Sequence, residues 1–171
     1  MKRTILTFVA MLCLAVSAMA QSIEVYISDN SGQATNIRNA PKGKVVYRLP
    51  LPASNGIMFS VDRQVNGWWH VDGNEYWDPA TDIQSFTGSD TGYWVHNSVI
   101  AFATRNYGGQ KLSLRSKPLA SAPVVYSFTK ELKLRPLDVM GKWVKVQTYD
   151  GKHIGWIELE WICGNSVTNC C

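Results

Sequence analysis

The sequence predicts an all-β protein, built as two small barrels in tandem that pack together and end in a short, disulfide-pinned tail. Three landmarks recur in the same order in the two halves of the chain, which is the mark of an internal repeat. Between them run short β-branched and aromatic segments bounded by turn signals such as Asn66-Gly67, Asp72-Gly73, Gly108-Gly109 and Asp150-Gly151. No segment sustains an apolar period of 3.6 residues over three turns, so helices are minor.

Residues 1–20 come first. Lys2 and Arg3 precede an apolar run from Ile5 to Val16, followed by Ser17, Ala18, Met19 and Ala20. This is the pattern of a secretory signal peptide with cleavage before Gln21, and it places the mature chain in the periplasm or outside the cell. The run is shorter than the roughly 20 apolar residues of a membrane-spanning helix, so an integral membrane protein is not expected. Cys13 follows Leu12 in the middle of that run, without the small residue that precedes a lipid-modified cysteine.

Residues 21–103 make the first barrel and residues 104–163 the second. Arg38, Pro41 and Val45-Val46-Tyr47 are echoed by Arg115, Pro118 and Val124-Val125-Tyr126. Trp68-Trp69-His70-Val71 is echoed by Trp143-Val144-Lys145-Val146, and Trp94-Val95 with Ile100 by Trp156-Ile157 with Ile162. The offsets are 77, 75 and 62 residues, so the first half carries an extra loop, residues 72–92. The join from Val99 to Thr104 is apolar and lacks a Gly/Ser linker, which predicts barrels packed as one rigid unit. Domains of about 60 residues bury too little surface to be generous with stability, so such packing helps both. In the tail, residues 164–171, Cys170 or Cys171 is placed to pair with Cys163. One thiol is left over, free or bridging to a second chain as a disulfide-linked dimer.

The second half, LSLRSKPLASAPVVYSF through GKWVKVQTYDGKHIGWIELEWI, resembles a bacterial SH3 domain, and the first half is similar but looser. The resemblance covers nearly all of the chain after the leader. It implies SH3-like barrels and a non-catalytic exported binding module that recognises peptidoglycan peptides or an envelope protein. Domains of this kind often precede a papain-like peptidase domain, which would need roughly another hundred residues after Ile162. None is expected here.

Charge is unevenly placed. From Gln64 to Thr104 there are five acidic residues and no Lys or Arg, whereas Arg105 to Lys152 carries ten basic residues against three acidic ones. This fits two complementary surfaces, a mixed-charge ligand, or simply two solvated faces. Nucleic acid is a poor partner, since the net charge is only slightly positive in an exported chain. The three histidines are far apart in sequence, no CxxC pair exists, and Trp77 stands where a calcium loop needs glycine. No metal site and no cofactor are expected.

The candidate ligand-binding residues are the aromatic ones that a groove needs. Trp68, Trp69 and Tyr93 form the expected groove, with Trp143 at the equivalent place in the second barrel. Tyr76, Trp77 and Asp78 in the acidic loop join rings to carboxylates that would receive an ammonium group. Trp77 serves equally well as a cover for an open sheet edge. Arg115, which echoes Arg38, either binds a carboxylate or bonds to a turn. Two other functions compete: an assembly protein that uses its barrels for protein contacts, and a Cys-His hydrolase built on Cys163.

Overall fold

The computed structural model describes residues 21–49 and 56–170; the expected leader and Cys171 lie outside them. The fold is all-β, with strands β1 (Ile23–Ile27), β2 (Thr35–Arg38), β3 (Val45–Leu49), β4 (Met58–Val65) and β5 (Trp68–Val71). They are followed by β6 (Glu75–Asp78), β7 (Asp82–Ser85), β8 (Trp94–His96), β9 (Ile100–Thr104) and β10 (Leu112–Arg115). The last five are β11 (Val124–Phe128), β12 (Lys133–Met140), β13 (Trp143–Thr148), β14 (Ile154–Glu158) and β15 (Ile162–Cys163). Helix is confined, among the described residues, to the 3₁₀ turns Asn97–Val99 and Leu159–Trp161.

The strands hydrogen-bond in one antiparallel path, β11-β10-β14-β13-β12-β9-β1-β4-β5-β8-β2-β3, with β15 added to β9 and the β6-β7 hairpin added to β4. The path is open. Among the described residues neither β3 nor β11 pairs onward to close a ring, so the expected barrels are not closed by hydrogen bonds. The buried apolar side chains of both halves form one contiguous cluster, from Ile23 and Val25 to Val146 and Ile157.

The ladder repeats in register. Val65 opposite Trp68 becomes Met140 opposite Trp143, Arg38 opposite Trp94 becomes Arg115 opposite Trp156, and Ile27 opposite Ile100 becomes Thr104 opposite Ile162. The β-bulges repeat as well: Ile37/Arg38 matches Leu114/Arg115, and Val61/Arg63 matches Pro136/Asp138. A bulge re-aims every side chain beyond it, so its recurrence keeps the two sets of side chains equivalent. The turn before Trp68 holds Asn66 at φ 51° and Gly67 at φ 84°. These left-handed conformations are what a tight hairpin demands of an Asn-Gly pair.

One strand serves both halves. In β9, Ile100 and Ala101 pair with β1, while Phe102 and Ala103 pair with β12. Side chains reinforce the join. Trp69 is fully buried and its indole Nε1 donates to the Pro136 carbonyl at 3.2 Å, across the junction. The Tyr149 ring lies under Lys133 and Arg135, whose cationic groups stand 4.8 and 4.2 Å from its centre. Its hydroxyl accepts from Ser28 Oγ at 3.1 Å and Asn30 Nδ2 at 2.9 Å.

The insertion between β5 and β8 folds back on its own half. Phe86, 1% exposed, meets Tyr47 and Phe59 edge-on at 5.5 and 5.8 Å and lies on Tyr76 and Tyr93 at 4.6 and 5.4 Å. Gly88, at φ 88°, passes so close to β3 that a β-carbon there would sit 2.9 Å from the Val46 carbonyl oxygen. In the second half a tight turn at Asp150-Gly151 replaces all of this, and His153 stacks on Tyr126 at 3.8 Å. The tail is pinned by a Cys163–Cys170 disulfide with a Cα–Cα distance of 5.6 Å.

Candidate functional site

The second half carries a cleft of about 240 Å³ beside Trp143. Trp143 opens β13 directly opposite Glu158, the last residue of β14, so ring and carboxylate arrive at one end of the sheet. Arg115 ends β10, and its Nη1 donates to the Ala122 carbonyl at 2.8 Å, which fixes the guanidinium at the rim. Trp161, on the 3₁₀ turn, and Lys111, just before β10, complete the lining. Lys142 Nζ donates to Glu158 Oε1 at 3.0 Å. That hydrogen bond, helped by the positive charge of Arg115, holds the Glu158 carboxyl below the usual carboxylate range against the opposing effect of partial burial. The cleft therefore offers a carboxylate and two or three cations beside indole rings.

In the first half the equivalent place is occupied by the protein itself. The Arg38 guanidinium lies over the Trp68 ring at 5.5 Å while its Nη1 donates to the Gly43 carbonyl at 2.6 Å. His96, which takes the position of Glu158, meets Trp68 edge-on at 5.0 Å. Burial pushes its imidazole below the ordinary range, and Nδ1 accepts from the Ser98 backbone N–H.

These contacts correct the expected groove. Trp69 and Tyr93 do not face a ligand: Trp69 is 0% and Tyr93 5% exposed. Neighbouring residues of a strand point to opposite faces, so Trp68 and Trp69 cannot both line one groove, and Trp69 turns to the core like its counterpart Val144. The Tyr93 hydroxyl is used up on the Phe86 and Ser89 carbonyls. Tyr76 is likewise buried and shares a hydrogen bond with the Tyr47 hydroxyl; burial and that bond raise its phenol well above the usual range. Asp78 is buried, with Oδ1 accepting from the Ala80 N–H. Trp77 packs on Tyr26, Met58 and Ala101 in the β6 to β4 pairing, the edge-covering use. Trp143 is 7% exposed, so it forms a wall of its cleft. Of the sequence candidates, the structure brings together Trp143 and Arg115. Cys163, the nucleophile of the hydrolase reading, is buried and bonded to Cys170.

A larger cleft, about 530 Å³, lies where the two halves meet. Its wall is the disulfide loop, held by Ser166 Oγ donating to the Gly56 carbonyl at 3.0 Å and by the Cys170 N–H donating to the Tyr107 hydroxyl at 3.1 Å. Its other sides are Tyr26 in β1 with Ser28 just after it, and Glu131 just before β12 with Lys133 at its first position. The Tyr26 phenol is pushed up to about 12 by burial and by neighbouring Tyr149, so it stays neutral. Sequence reasoning missed this site because its walls come from six separate stretches of the chain. The crowded cysteines of the tail were the one signal that pointed to it.

Residues 111–162 match the family model described as bacterial SH3 domain. Solved structures similar to the chain include NlpC1 from Trichomonas vaginalis, at 12% identity and a TM-score of 0.32, with 91% of this chain and 50% of that chain covered. NlpC2 from Trichomonas vaginalis has 11% identity and a TM-score of 0.31, with 84% of this chain and 48% of that chain covered. The chain thus spans about half the length of each. No curated protein matches it.

Proposed function

We propose that this protein is an exported, non-catalytic binding module that holds mixed-charge cell-wall peptides in the cleft of its second half. The observation that carries the reading is one of coincidence in sequence: all nine residues lining that cleft, from Lys111 to Trp161, fall inside the segment that matches the bacterial SH3 family. Murein stem peptides carry both carboxylates and an ammonium group. Lys111 and Arg115 would meet the carboxylates, and Glu158 would take the ammonium by exchanging Lys142 for the ligand. The Trp143 and Trp161 rings exclude water from those contacts and raise their worth. Export is supported by the leader pattern of residues 1–20 and by a disulfide of the kind that persists in oxidising compartments. On this reading the first half is a companion of the same architecture, tandem with the second and braced against it.

Retention on purified murein sacculi at low and moderate salt tests the proposal. The protein should be retained, and a Trp161→Ala, Lys111→Glu double variant should bind at least about 10-fold more weakly, the loss expected when one charge-assisted contact goes. Absence of retention, or equal retention of the variant, overturns it. An assembly role draws on a different observation: β11 is an open edge whose Val124 and Val125 are 50% and 46% exposed. Light scattering with and without reductant decides, because a concentration-dependent or reducible dimer supports assembly and a monomer in both conditions rejects it.

A further inference from the structure

The cleft at the junction differs from the first in its chemistry. Its fixed point is Lys133, whose ammonium donates to Ser28 Oγ at 3.2 Å and stands 4.8 Å from the centre of the Tyr149 ring and 5.8 Å from that of Tyr26. Two aromatic faces and a hydroxyl thus hold the cation in place. Among the described residues no carboxylate oxygen comes within 4.0 Å of it, although four ion pairs form elsewhere. A positioned ammonium without an anion is a ready partner for a ligand carboxylate. Glu131, two residues earlier on the same rim, disfavours a second negative charge and accepts from an N–H or O–H. Opposite, the Tyr107 ring is 37% exposed, and its hydroxyl is anchored by the Cys170 N–H. An exposed, anchored ring suits the C–H face of a sugar. The cleft volume of about 530 Å³ falls in the range that encloses a small-molecule ligand.

We infer that this cleft is a second ligand site, separate from the one at Trp143, for a ring-shaped sugar acid that carries a single carboxylate. Lys133 receives the carboxylate, Tyr107 stacks on the ring, and the Cys163–Cys170 loop supplies the wall. The site exists only while that loop is closed, because the loop positions Tyr107.

N-acetylmuramic acid and N-acetylglucosamine share a ring and an acetamide and differ in one lactyl carboxylate. Titration calorimetry of the oxidised protein should show the acid binding at least about 10-fold more tightly, the discrimination expected of one charge-assisted hydrogen bond. Lys133→Gln should remove that preference and Lys133→Arg should keep most of it. Tyr107→Ala should weaken both sugars, and Trp161→Ala, in the other cleft, should affect neither. Thermal melts establish that each variant is folded. If Lys133→Gln is not, the Lys133→Arg and Tyr107→Ala results decide. Equal affinity for the two sugars, no binding of either, a preference that survives Lys133→Gln in folded protein, or loss of binding in Trp161→Ala overturns the inference. Because the two clefts share no residue, murein retention measured in the Tyr107→Ala background reports on the Trp143 cleft alone, and the two readings fail independently.

Discussion

In the first half the tryptophan at the shared position, Trp68, lies under Arg38 and against His96; in the second, Trp143 walls a cleft with Arg115 and Glu158 at its rim. The strand registers around the two are the same, so the backbone does not make this difference. Side-chain substitution at a strand end and on the 3₁₀ turn after it does: His96 against Glu158, and Val99 against Trp161. The insertion widens the contrast. It brings Tyr76 and Phe86 into the first half's interior and lies along β3, whereas β11 remains uncovered. The insertion thus half-buries β3, while Val124 and Val125 of the matching strand β11 stay exposed.

The sharpest way to break this comparison is through Phe86. If the insertion is part of the core, Phe86→Ala should cost about 3–5 kcal/mol in urea unfolding, as full loss of a buried ring does. A cost below about 1 kcal/mol would show the insertion to be an appendage. Trp69→Phe tests how closely the halves are joined. It keeps a ring but leaves the buried Pro136 carbonyl without its donor, and should lower stability by about 1–3 kcal/mol while unfolding remains one transition. Two separated transitions would show that the halves are independent.

The smallest effect is expected from pH. His96 is lowered from an ordinary value of 6.5, so the unfolded chain binds its proton more readily than the folded one. Its contribution to stability is therefore complete above pH 6.5 and is lost as pH falls from there through its lowered value. Melting temperatures taken down this range should fall in the wild type and less steeply in His96→Asn. The second half, with Glu158 at this position, has no corresponding dependence there. Parallel profiles for wild type and variant would remove His96 from the comparison.

Much of the fold was legible because the residues that recur are those that fix register. Asn66-Gly67 dictates a tight hairpin, and an Arg facing a Trp recurs at a bulge in both halves. The disulfide was legible to within one residue, since Cys170 and Cys171 are adjacent. The direction of side chains was harder. Trp69 aligns with Val144, and that apolar echo was the available sign that it points inward. Tyr76 looked like a recognition residue because it sits among carboxylates in sequence, and Tyr93 because it was grouped with Trp68 and Trp69 in an aromatic groove. Their fate depended on Phe86 drawing the insertion back over the sheet, a tertiary contact that no local pattern announces. Arg115 was read with both of its uses open, and the structure makes it a turn brace that also borders a cleft.

The shared strand β9 has a consequence for anyone who would take the molecule apart. Ile100 and Ala101 complete one ladder and Phe102 and Ala103 begin the next, so even a cut at the Ala101–Phe102 bond, which spares both ladders, ends each fragment inside a shared strand, severs the Trp69–Pro136 hydrogen bond and opens the common core. Repeats strung on a linker can be excised, shuffled or grafted singly. These two are spliced like a mortise joint, and the smallest transplantable piece is the pair.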